Sequence, residues 1–280
     1  MRLLVTGSSG YLGRSFIQEY KKKYHFQTFS KQKESLKKLN ISSIDVVVHC
    51  AALVHQKKEL SYKKYYDINT LYPTELAKKA KVAGVKQFIF ISTIAVYDPK
   101  ESLINQETEP KPKSSYGKSK YEAEKQLLAL QDDQFNIVII RTPMIYGKNA
   151  PGNIDTLIKL IHKVCILPFG KINNQRSFIY IKNITSVIDQ AIQNKTEGIL
   201  LVADKKPIST TKLISSLAKG MNKKVWLIHI PLFETLLKKL KPKLHSKLYG
   251  NLKIEDNLKH FFPHYQLPYT IEIAINKSIN

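Results

Sequence analysis

Residues 2–20 read RLLVTGSSGYLGRSFIQEY and carry the clearest indication of the fold. A short apolar run enters a turn with three glycines, after which apolar residues recur at helical spacing. Glycine permits a tight turn and a close approach of the backbone to a pyrophosphate, and the start of the helix offers free N–H groups. The pattern predicts a strand, a turn and a helix that bind a dinucleotide through Gly7, Gly10, Tyr11, Leu12 and Gly13. The alternative is a packing turn without a ligand.

Predicted strands and helices alternate along the chain after this stretch. The strands are HFQTFS (25–30), IDVVVHCAALV (44–54), KQFIFIST (86–93) and FNIVIIRT (135–142), and the helices cover 67–83 and 115–131. A continuous β-branched run is typical of a parallel strand that is covered on both faces. Because strands that alternate with helices build βαβ units, we predict an α/β fold with a Rossmann-type doubly wound parallel sheet.

The sequence pattern changes after Tyr146-Gly147. We predict a dinucleotide-binding domain over residues 1–150 and a smaller α/β substrate-binding lobe over residues 151–280, with residues 177–194 returning to the main sheet. EGILLVA (197–203) and VWLIHI (225–230) are predicted to be further short strands of the lobe.

The chain is strongly basic, with a formal net charge of +23, but its charge comes almost entirely from lysine. Proteins that read nucleic acid usually rely on arginine and on aromatic stacking, so we expect no nucleic-acid partner. Residues 232–250, LFETLLKKLKPKLHSKLYG, form a basic helical segment that Pro242 interrupts. We interpret this segment as a water-facing part of the lobe, with contact to a membrane surface as the alternative.

The two cysteines, Cys50 and Cys165, both lie in apolar sequence contexts. This favours buried, reduced thiols in a cytoplasmic protein over a disulfide, and we find no spacing typical of metal ligands. The sequence contains no apolar run of about 18 residues, and its first residues lack the features of a signal peptide.

The region after the second predicted strand bears on the choice of cofactor. An acidic residue there would bind the free 2′-hydroxyl of an adenosine ribose, but residues 25–33 contain no Asp or Glu. Ser30 and Lys31 occupy this region instead, together with Lys33. The cofactor is therefore NAD or NADP, with NADP favoured, unless these lysines simply face water.

The pattern Tyr-x-x-x-Lys occurs three times, at Tyr116/Lys120, Tyr121/Lys125 and Tyr249/Lys253. In a chain with 15 tyrosines and 45 basic residues, such matches arise by chance. The motif alone therefore does not identify an acid–base pair.

Several motifs in order nevertheless make the chain resemble the extended short-chain dehydrogenase/reductases of the NAD-dependent epimerase/dehydratase type, which act on nucleotide sugars. The resemblance covers nearly the whole length and lies in TGSSGYLG (6–13), HCAALVH (49–55), Asn69, STIAVY (92–97), YGKSK (116–120), RTPMIYG (141–147) and RSFIYI (176–181). It selects Tyr116 and Lys120, which lie one helical turn apart on the same face of a predicted helix. Tyr121 and Lys125 face another side.

The resemblance implies a role for each matching residue. Tyr116, Lys120 and Thr93 would be catalytic, and Lys120 would also hold the nicotinamide ribose. Further cofactor contacts are implied for Ala51, Ala52, Asn69, Pro143 and Ile145, and substrate contacts for Thr93, Asn153 and Arg176. Tyr72-Pro73 departs from the Gly-Thr that is common in the family, which puts the helix geometry near Asn69 in question.

The predicted chemistry depends on an ionised tyrosine. Free tyrosine has a pKa of about 10, and lowering it by about 3 units requires about 4 kcal/mol. One ammonium about 4 Å away supplies roughly this amount at an effective dielectric constant near 20. We therefore expect Lys120, together with an oxidised nicotinamide, to lower the pKa of Tyr116.

The residues after Thr93 narrow the reaction class. Ile94-Ala95 stands where dehydratases of the family carry Asp-Glu, and Ile94 replaces the cysteine of 3,5-epimerising relatives. The resemblance thus implies hydride transfer at C4, most simply in a UDP-sugar 4-epimerase. An NADPH-dependent 4-ketoreductase is the alternative, and a non-catalytic dinucleotide-binding regulator is a third reading. The family also implies a nucleoside-diphosphate sugar as substrate and a homodimer.

Overall fold

The computed structural model describes residues 1–30, 35–54 and 60–279, and a parallel sheet of six strands forms the centre of this part of the chain. The strands are β1 (Arg2–Thr6), β2 (His25–Phe29), β3 (Val46–His49), β4 (Gln87–Thr93), β5 (Leu103–Ile104), β6 (Asn136–Thr142), β7 (Ile145–Tyr146), β8 (Ile166–Leu167), β9 (Ile179–Tyr180), β10 (Gly198–Leu201), β11 (Trp226–Leu227) and β12 (Lys253–Ile254). The helices are α1 (Tyr11–Tyr20), α2 (Tyr62–Tyr66), α3 (Tyr72–Val82), α4 (Ser115–Leu128), α5 (Asn153–Lys163), α6 (Ile181–Gln193), α7 (Thr210–Gly220), α8 (Phe233–Leu240), α9 (Pro242–Tyr249), α10 (Leu258–Phe261) and α11 (Ile271–Ile279).

The strand order of the central sheet is β10-β6-β4-β3-β1-β2. The chain first adds β2 on one side of β1 and then β3 on the other side. Between β1 and β3 the helices that follow the strands diverge to opposite faces, and in sheets of this kind ligands bind at that point, beyond the carboxyl ends of the strands.

Alternating residues of the strands pack into two separate cores, one on each face of the sheet. Leu3 and Val5 of β1 are buried in the core that contains Phe16 of α1 and the buried face of α6. Leu4, between them, is buried in the other core together with Leu76 of α3. The helices thus cover both faces of a parallel sheet, which confirms the predicted α/β class.

The structure corrects one detail of the second half of the chain. EGILLVA is predicted to belong to the smaller lobe, but its residues 198–201 form β10, which pairs with β6 at the edge of the main sheet. The preceding helix α6 packs against the main sheet beside α1. The other short strands pair outside the main sheet, as β5–β12, β7–β9 and β8–β11.

The environments of the two cysteines also differ from the expectation of two buried thiols. Cys50 is half-buried after β3, whereas Cys165 is exposed before β8, and both are free thiols. An apolar sequence context therefore did not indicate burial at Cys165, because the neighbouring Ile166 is itself exposed.

Candidate active site

Four strands of the main sheet end at one edge and bring most of the predicted cofactor residues together there. β1 and β3 pair up to their last residues, and so do β4 and β6. The predicted residues follow at once: Gly7 after β1, Ala51 and Ala52 after β3, Thr93 at the end of β4, and Pro143 after β6. This edge is therefore the candidate site.

The turn between β1 and α1 is built by glycines in close contact. Gly7 has a φ of +70°, and a Cβ at this position would lie 2.6 Å from the amide nitrogen of Ala51. The amide of Gly10 donates to the carbonyl of Gly7 at 2.9 Å, and the α-carbon of Gly13 packs on that same carbonyl. No side chain caps the start of α1, so its first amides remain available to an anion.

The residues around this turn complete the predicted dinucleotide contacts. Tyr11 opens α1 with its hydroxyl buried near Gly147, and Leu12 is buried in the core. Ser30 is half-buried directly after β2, at the predicted position of the adenosine ribose. Lys31 and Lys33 lie outside the described residues.

Tyr116 is positioned by the start of α4. The hydroxyl of Ser114 accepts a hydrogen bond from the amide of Gly117 at 3.0 Å and caps the helix. Because Gly117 has no side chain, the helix can pack directly on the carbonyl of Ala95. This close approach lets the hydroxyl of Tyr116 form a hydrogen bond with the side chain of Thr93. Gly117 was not predicted to have a role, although it lies within YGKSK (116–120).

Lys120 lies one turn further along α4 and is almost completely buried, at 1% exposure. Its Nζ lies 3.6 Å from the centroid of the Phe90 ring and has no hydrogen-bond partner in the described part of the chain. Burial lowers the pKa of this lysine to about 7, and Glu124 opposes that effect only in part.

These features fit a bound dinucleotide. A buried ammonium without an acceptor is costly, and ribose hydroxyls would supply acceptors to Lys120. The open amides of α1 and the close approach of Gly7 to Ala51 would accommodate the pyrophosphate. The residues at this edge can therefore hold NAD or NADP.

The acidity of Tyr116 differs from the expectation. Burial raises the pKa of Tyr116 to about 12, with a smaller rise from Tyr65, and the hydrogen bond from Thr93 lowers it only in part. The expected lowering is therefore wrong for the protein's own groups, because the loss of hydration outweighs the stabilisation of the phenolate. A bound oxidised nicotinamide would add positive charge and would lower the pKa of Tyr116 further.

Asn69 connects the loop after β3 to α4. Its side chain is buried, accepts from the amide of Leu53 at 2.8 Å and donates to the carbonyl of Leu53 at 3.0 Å and to the hydroxyl of Ser119 at 3.1 Å. The segment Asp67–Leu71 is π-helical. Pro73 has no N–H to donate to the carbonyl of Asn69, and the helix widens at this point and then continues as α3.

A buried ion pair behind the site was not found from the sequence. Nη2 of Arg141 on β6 lies 2.7 Å from Glu124 on α4, and Nη1 donates to the hydroxyl of Tyr97 at 2.8 Å. The hydroxyl of Ser92 also donates to Glu124. An arginine inside an apolar strand and a glutamate one turn after Lys120 were the available signals.

The remaining predicted residues lie further along the chain. Pro143 is buried and Ile145 is half-buried on β7, while Asn153 begins α5 and its side chain is outside the described structure. Nη1 of Arg176 donates to the carbonyls of Ser246 and Gly250 at 3.3 and 3.1 Å. Arg176 also lines a mostly apolar cavity of about 300 Å³ between α5, α7 and α9.

No group of three or more His, Cys, Asp or Glu side chains in the described segments is placed to hold a metal ion.

Comparisons with known proteins agree with this geometry. A UDP-glucose 4-epimerase from Vibrio cholerae is 32% identical over an alignment of 285 positions, and the alignment covers 91% of this chain and 84% of that protein. A UDP-glucuronic acid 4-epimerase from Bacillus cereus, solved with NAD, has a TM-score of 0.78 at 22% identity and covers 100% of this chain and 97% of its own. A dTDP-4-dehydrorhamnose reductase from Bacillus anthracis, solved with NADP, has a TM-score of 0.77 at 21% identity, with coverages of 99% and 98%.

Both solved structures are less than 25% identical to this chain, so they support the fold alone. The sequence model of the NAD dependent epimerase/dehydratase family matches residues 3–203. The chain belongs to the NAD dependent epimerase/dehydratase family.

Proposed function

We propose that the protein is an NAD(P)-dependent UDP-sugar 4-epimerase that acts by hydride transfer at C4 of the sugar. One observation carries the proposal: the hydroxyl of Tyr116 is hydrogen-bonded to Thr93, and the buried, unpartnered ammonium of Lys120 lies on the same helix in the described chain. The relative from Vibrio cholerae, a UDP-glucose 4-epimerase, supports this choice of reaction.

Each residue of the site has its own role in the proposed reaction. Tyr116 takes the proton of the sugar hydroxyl as the carbonyl forms and returns it as the alcohol is restored. Thr93 holds the reacting oxygen through its own hydroxyl. A bound nicotinamide would supply reversible hydride transfer at the sugar carbon, and return of the hydride to the opposite face of that carbon would invert its configuration. Lys120 would hold the ribose hydroxyls of the cofactor and, when protonated, would add positive charge near the phenolate.

The other proposed contacts follow the edge of the sheet. The pyrophosphate would lie on the glycine turn and the first amides of α1, and the nicotinamide would lie by the segment after β6. The residues proposed for the cofactor are Gly7, Gly10, Tyr11, Leu12, Gly13, Ser30, Lys31, Ala51, Ala52, Asn69, Tyr116, Lys120, Pro143 and Ile145.

We place the substrate's diphosphate at Arg176 and Asn153. The carbonyls of Ser246 and Gly250 engage only Nη1 of Arg176, and the described residues supply no acceptor for Nε or Nη2. The N–H groups of Nε and Nη2 point outward along one edge of the planar guanidinium and match two phosphate oxygens. Burial lowers the pKa of Arg176, which an anionic ligand would oppose.

Dehydration is disfavoured by the groups next to Thr93. A 3₁₀ turn follows at once and carries Ile94 and Ala95, neither of which can transfer a proton. Elimination of water needs an acid and a base at this position, so oxidation and reduction at C4 remain.

An NADPH-dependent 4-ketoreductase is the second candidate. It is favoured by Ser30 at the end of β2, where an acidic residue would repel a 2′-phosphate. The cofactor discriminates the two candidates: an epimerase retains NAD⁺ through the cycle, whereas a reductase must exchange NADPH for each turnover.

The test is incubation with a panel of UDP- and GDP-sugars and their 4-keto derivatives, with and without NADPH, followed by NMR. The epimerase proposal predicts interconversion of two C4 epimers of a UDP-sugar without added reductant. Consumption of a 4-keto sugar only in the presence of NADPH would establish the reductase instead. If the protein binds NAD(P) but turns over none of the sugars, the non-catalytic dinucleotide-binding regulator is the interpretation that remains.

We also propose a homodimer that acts in the cytoplasm. Free thiols at Cys50 and Cys165 suit a reducing compartment, and dimers are implied by the family. Light scattering at several concentrations tests the assembly, and a monomer throughout would contradict it.

A further inference from the structure

One region of the second half of the chain exposes an unusual number of apolar side chains. Nine of the sixteen large apolar side chains that are exposed in the described chain lie at positions 164–166 and 226–244. They are Val164, Ile166, Trp226, Ile228, Ile230, Leu232, Leu236, Leu240 and Leu244. We call these residues, with the exposed lysines Lys223, Lys224, Lys238, Lys239, Lys241 and Lys247, the apolar-basic surface.

The first part of this surface is one face of the small sheet formed by β8 and β11. Trp226 pairs with Ile166 in the parallel register, and both side chains are exposed, Trp226 at 61%. Leu167 on the opposite face is buried. Ile228 and Ile230 follow β11 and are also exposed, at 42% and 43%. One face of this short sheet is therefore apolar and uncovered, and exposed apolar residues continue beyond it.

The second part is a stripe along α8. Leu236 and Leu240 are four residues apart, so they lie on one side of α8, and both are exposed. Leu232 is the N-cap of the helix, with a φ of +63°, and is 80% exposed. Leu237 is buried and attaches α8 to the protein, so the helix packs through one leucine and presents the exposed leucines to an external partner.

The same segment of the chain is rich in lysine. Residues 223–247 contain seven lysines and a single acidic residue, Glu234, which contacts His245 at 3.1 Å. The ammonium of Lys224 lies 5.7 Å from the centroid of the Trp226 ring. The surface therefore combines exposed leucine, isoleucine and tryptophan with one sign of charge.

We propose that the apolar-basic surface docks the protein on an anionic lipid bilayer. Tryptophan and leucine side chains enter the interfacial region of a bilayer, and lysines around them bind anionic headgroups. None of the described helices could cross a membrane, so the contact is peripheral. Docking of a second copy through the same surface would bring two sets of lysines together, and like charges oppose that contact.

The docking surface adjoins the region proposed for the substrate. Leu244 and Lys247 of α9 line the cavity that Arg176 also lines. A bilayer bound at α8 and α9 would therefore lie beside the substrate end of the molecule.

Vesicle binding of the full chain tests the proposal. Trp226 is the chain's only tryptophan, so its emission reports on this surface alone. We expect a blue shift of that emission and co-sedimentation with phosphatidylglycerol vesicles, and binding about tenfold weaker to phosphatidylcholine vesicles or at high salt.

The apolar variant replaces Ile228, Leu236 and Leu240 by serine and keeps Trp226. A matched control replaces Val82, Leu103 and Ile273, which are exposed outside the surface. We expect the apolar variant to lose the blue shift and to bind at least about tenfold more weakly, with NAD(P) affinity unchanged, while the control binds as the parent does.

Equal binding of the parent and the apolar variant without any blue shift would show charge attraction alone and overturn the proposal. A second result would also overturn the proposal. If the parent does not bind vesicles but forms a dimer in light scattering, and the apolar variant is a monomer, the partner of the surface is a second copy of the chain.

Discussion

The buried ammonium of Lys120 links the site to the pH dependence of stability. Burial lowers its pKa from 10.5 to about 7, so between these values the unfolded chain binds one more proton than the native protein. The free energy of unfolding then rises with pH in this window, by up to about 1.4 kcal/mol per pH unit from this group. Below the native pKa the cost of burying the charge is constant.

Lys120→Met should remove this dependence. We expect the variant to be more stable than the parent at neutral pH and to lose that advantage as the pH rises toward 10.5. Urea unfolding at several pH values measures the difference. Lys125→Met is the control, because Lys125 is exposed on the same helix and pairs with Glu122. If the free energy of unfolding has the same pH dependence in the parent and in Lys120→Met, the lysine does not carry a buried ammonium.

Gly7 offers a second test at the residue scale. Gly7 and Gly84 both have positive φ, of +70° and +81°, so alanine strains either backbone by about 1–2 kcal/mol. Only at Gly7 would the added Cβ meet another segment, at Ala51, since nothing lies within 4 Å of that atom at Gly84. We expect Gly7→Ala to weaken NAD(P) binding at least about tenfold and Gly84→Ala to leave it unchanged. Calorimetric titration measures this, and equal affinities in both variants would contradict the proposed pyrophosphate cradle.

At the scale of elements, the ion pair of Arg141 and Glu124 joins β6 to α4 and so fixes the helix that carries Tyr116 and Lys120. Both side chains are buried, at 8% and 1% exposure. Removing one partner of such a pair leaves an uncompensated charge in the interior.

Glu124→Gln should therefore lower the free energy of unfolding by about 3–5 kcal/mol. Glu122→Gln breaks the exposed pair with Lys125 on the same helix and should cost less than about 1 kcal/mol. Chemical denaturation compares the two variants. If both variants lose a similar, small part of the free energy of unfolding, the buried pair contributes little to holding α4 in place.

The long elements could be predicted from the sequence because their periodicity is local. β1, β3, β4, β6 and α4 lie where the apolar patterns indicated. The two-residue strands could not be delimited, since β8 and β11 exist only through their pairing with each other. The placement of β10 in the main sheet depends in the same way on β6, which lies far away in sequence.

The features of the site also differed in how far the sequence could predict them. The glycine turn and the Tyr116/Lys120 spacing were visible because they are contiguous in sequence. The pKa of Tyr116 was not predictable, because it is set by burial beneath groups that the fold brings together. For the same reason the contact between Glu124 and Arg141 was missed.

At the scale of the whole molecule, the lysines that give the net charge of +23 lie in different environments. Most lysines of the described residues are exposed, while Lys120 is buried and Lys224 lies beside the ring of Trp226. Residues 232–250 were interpreted as water-facing, with membrane contact as the alternative, and the exposed leucines of this segment are the basis for proposing that alternative.

The proposed reaction depends on the phenol of Tyr116, which carries the sugar's proton, and Tyr116→Phe tests this role most directly. Epimer interconversion should be followed by NMR for the parent, for Tyr116→Phe and for Tyr121→Phe, the tyrosine of the second Tyr-x-x-x-Lys copy. We predict that Tyr116→Phe turns over about 10²- to 10⁴-fold more slowly with NAD(P) affinity nearly unchanged, and that Tyr121→Phe keeps its activity. Parental turnover in Tyr116→Phe would contradict the account.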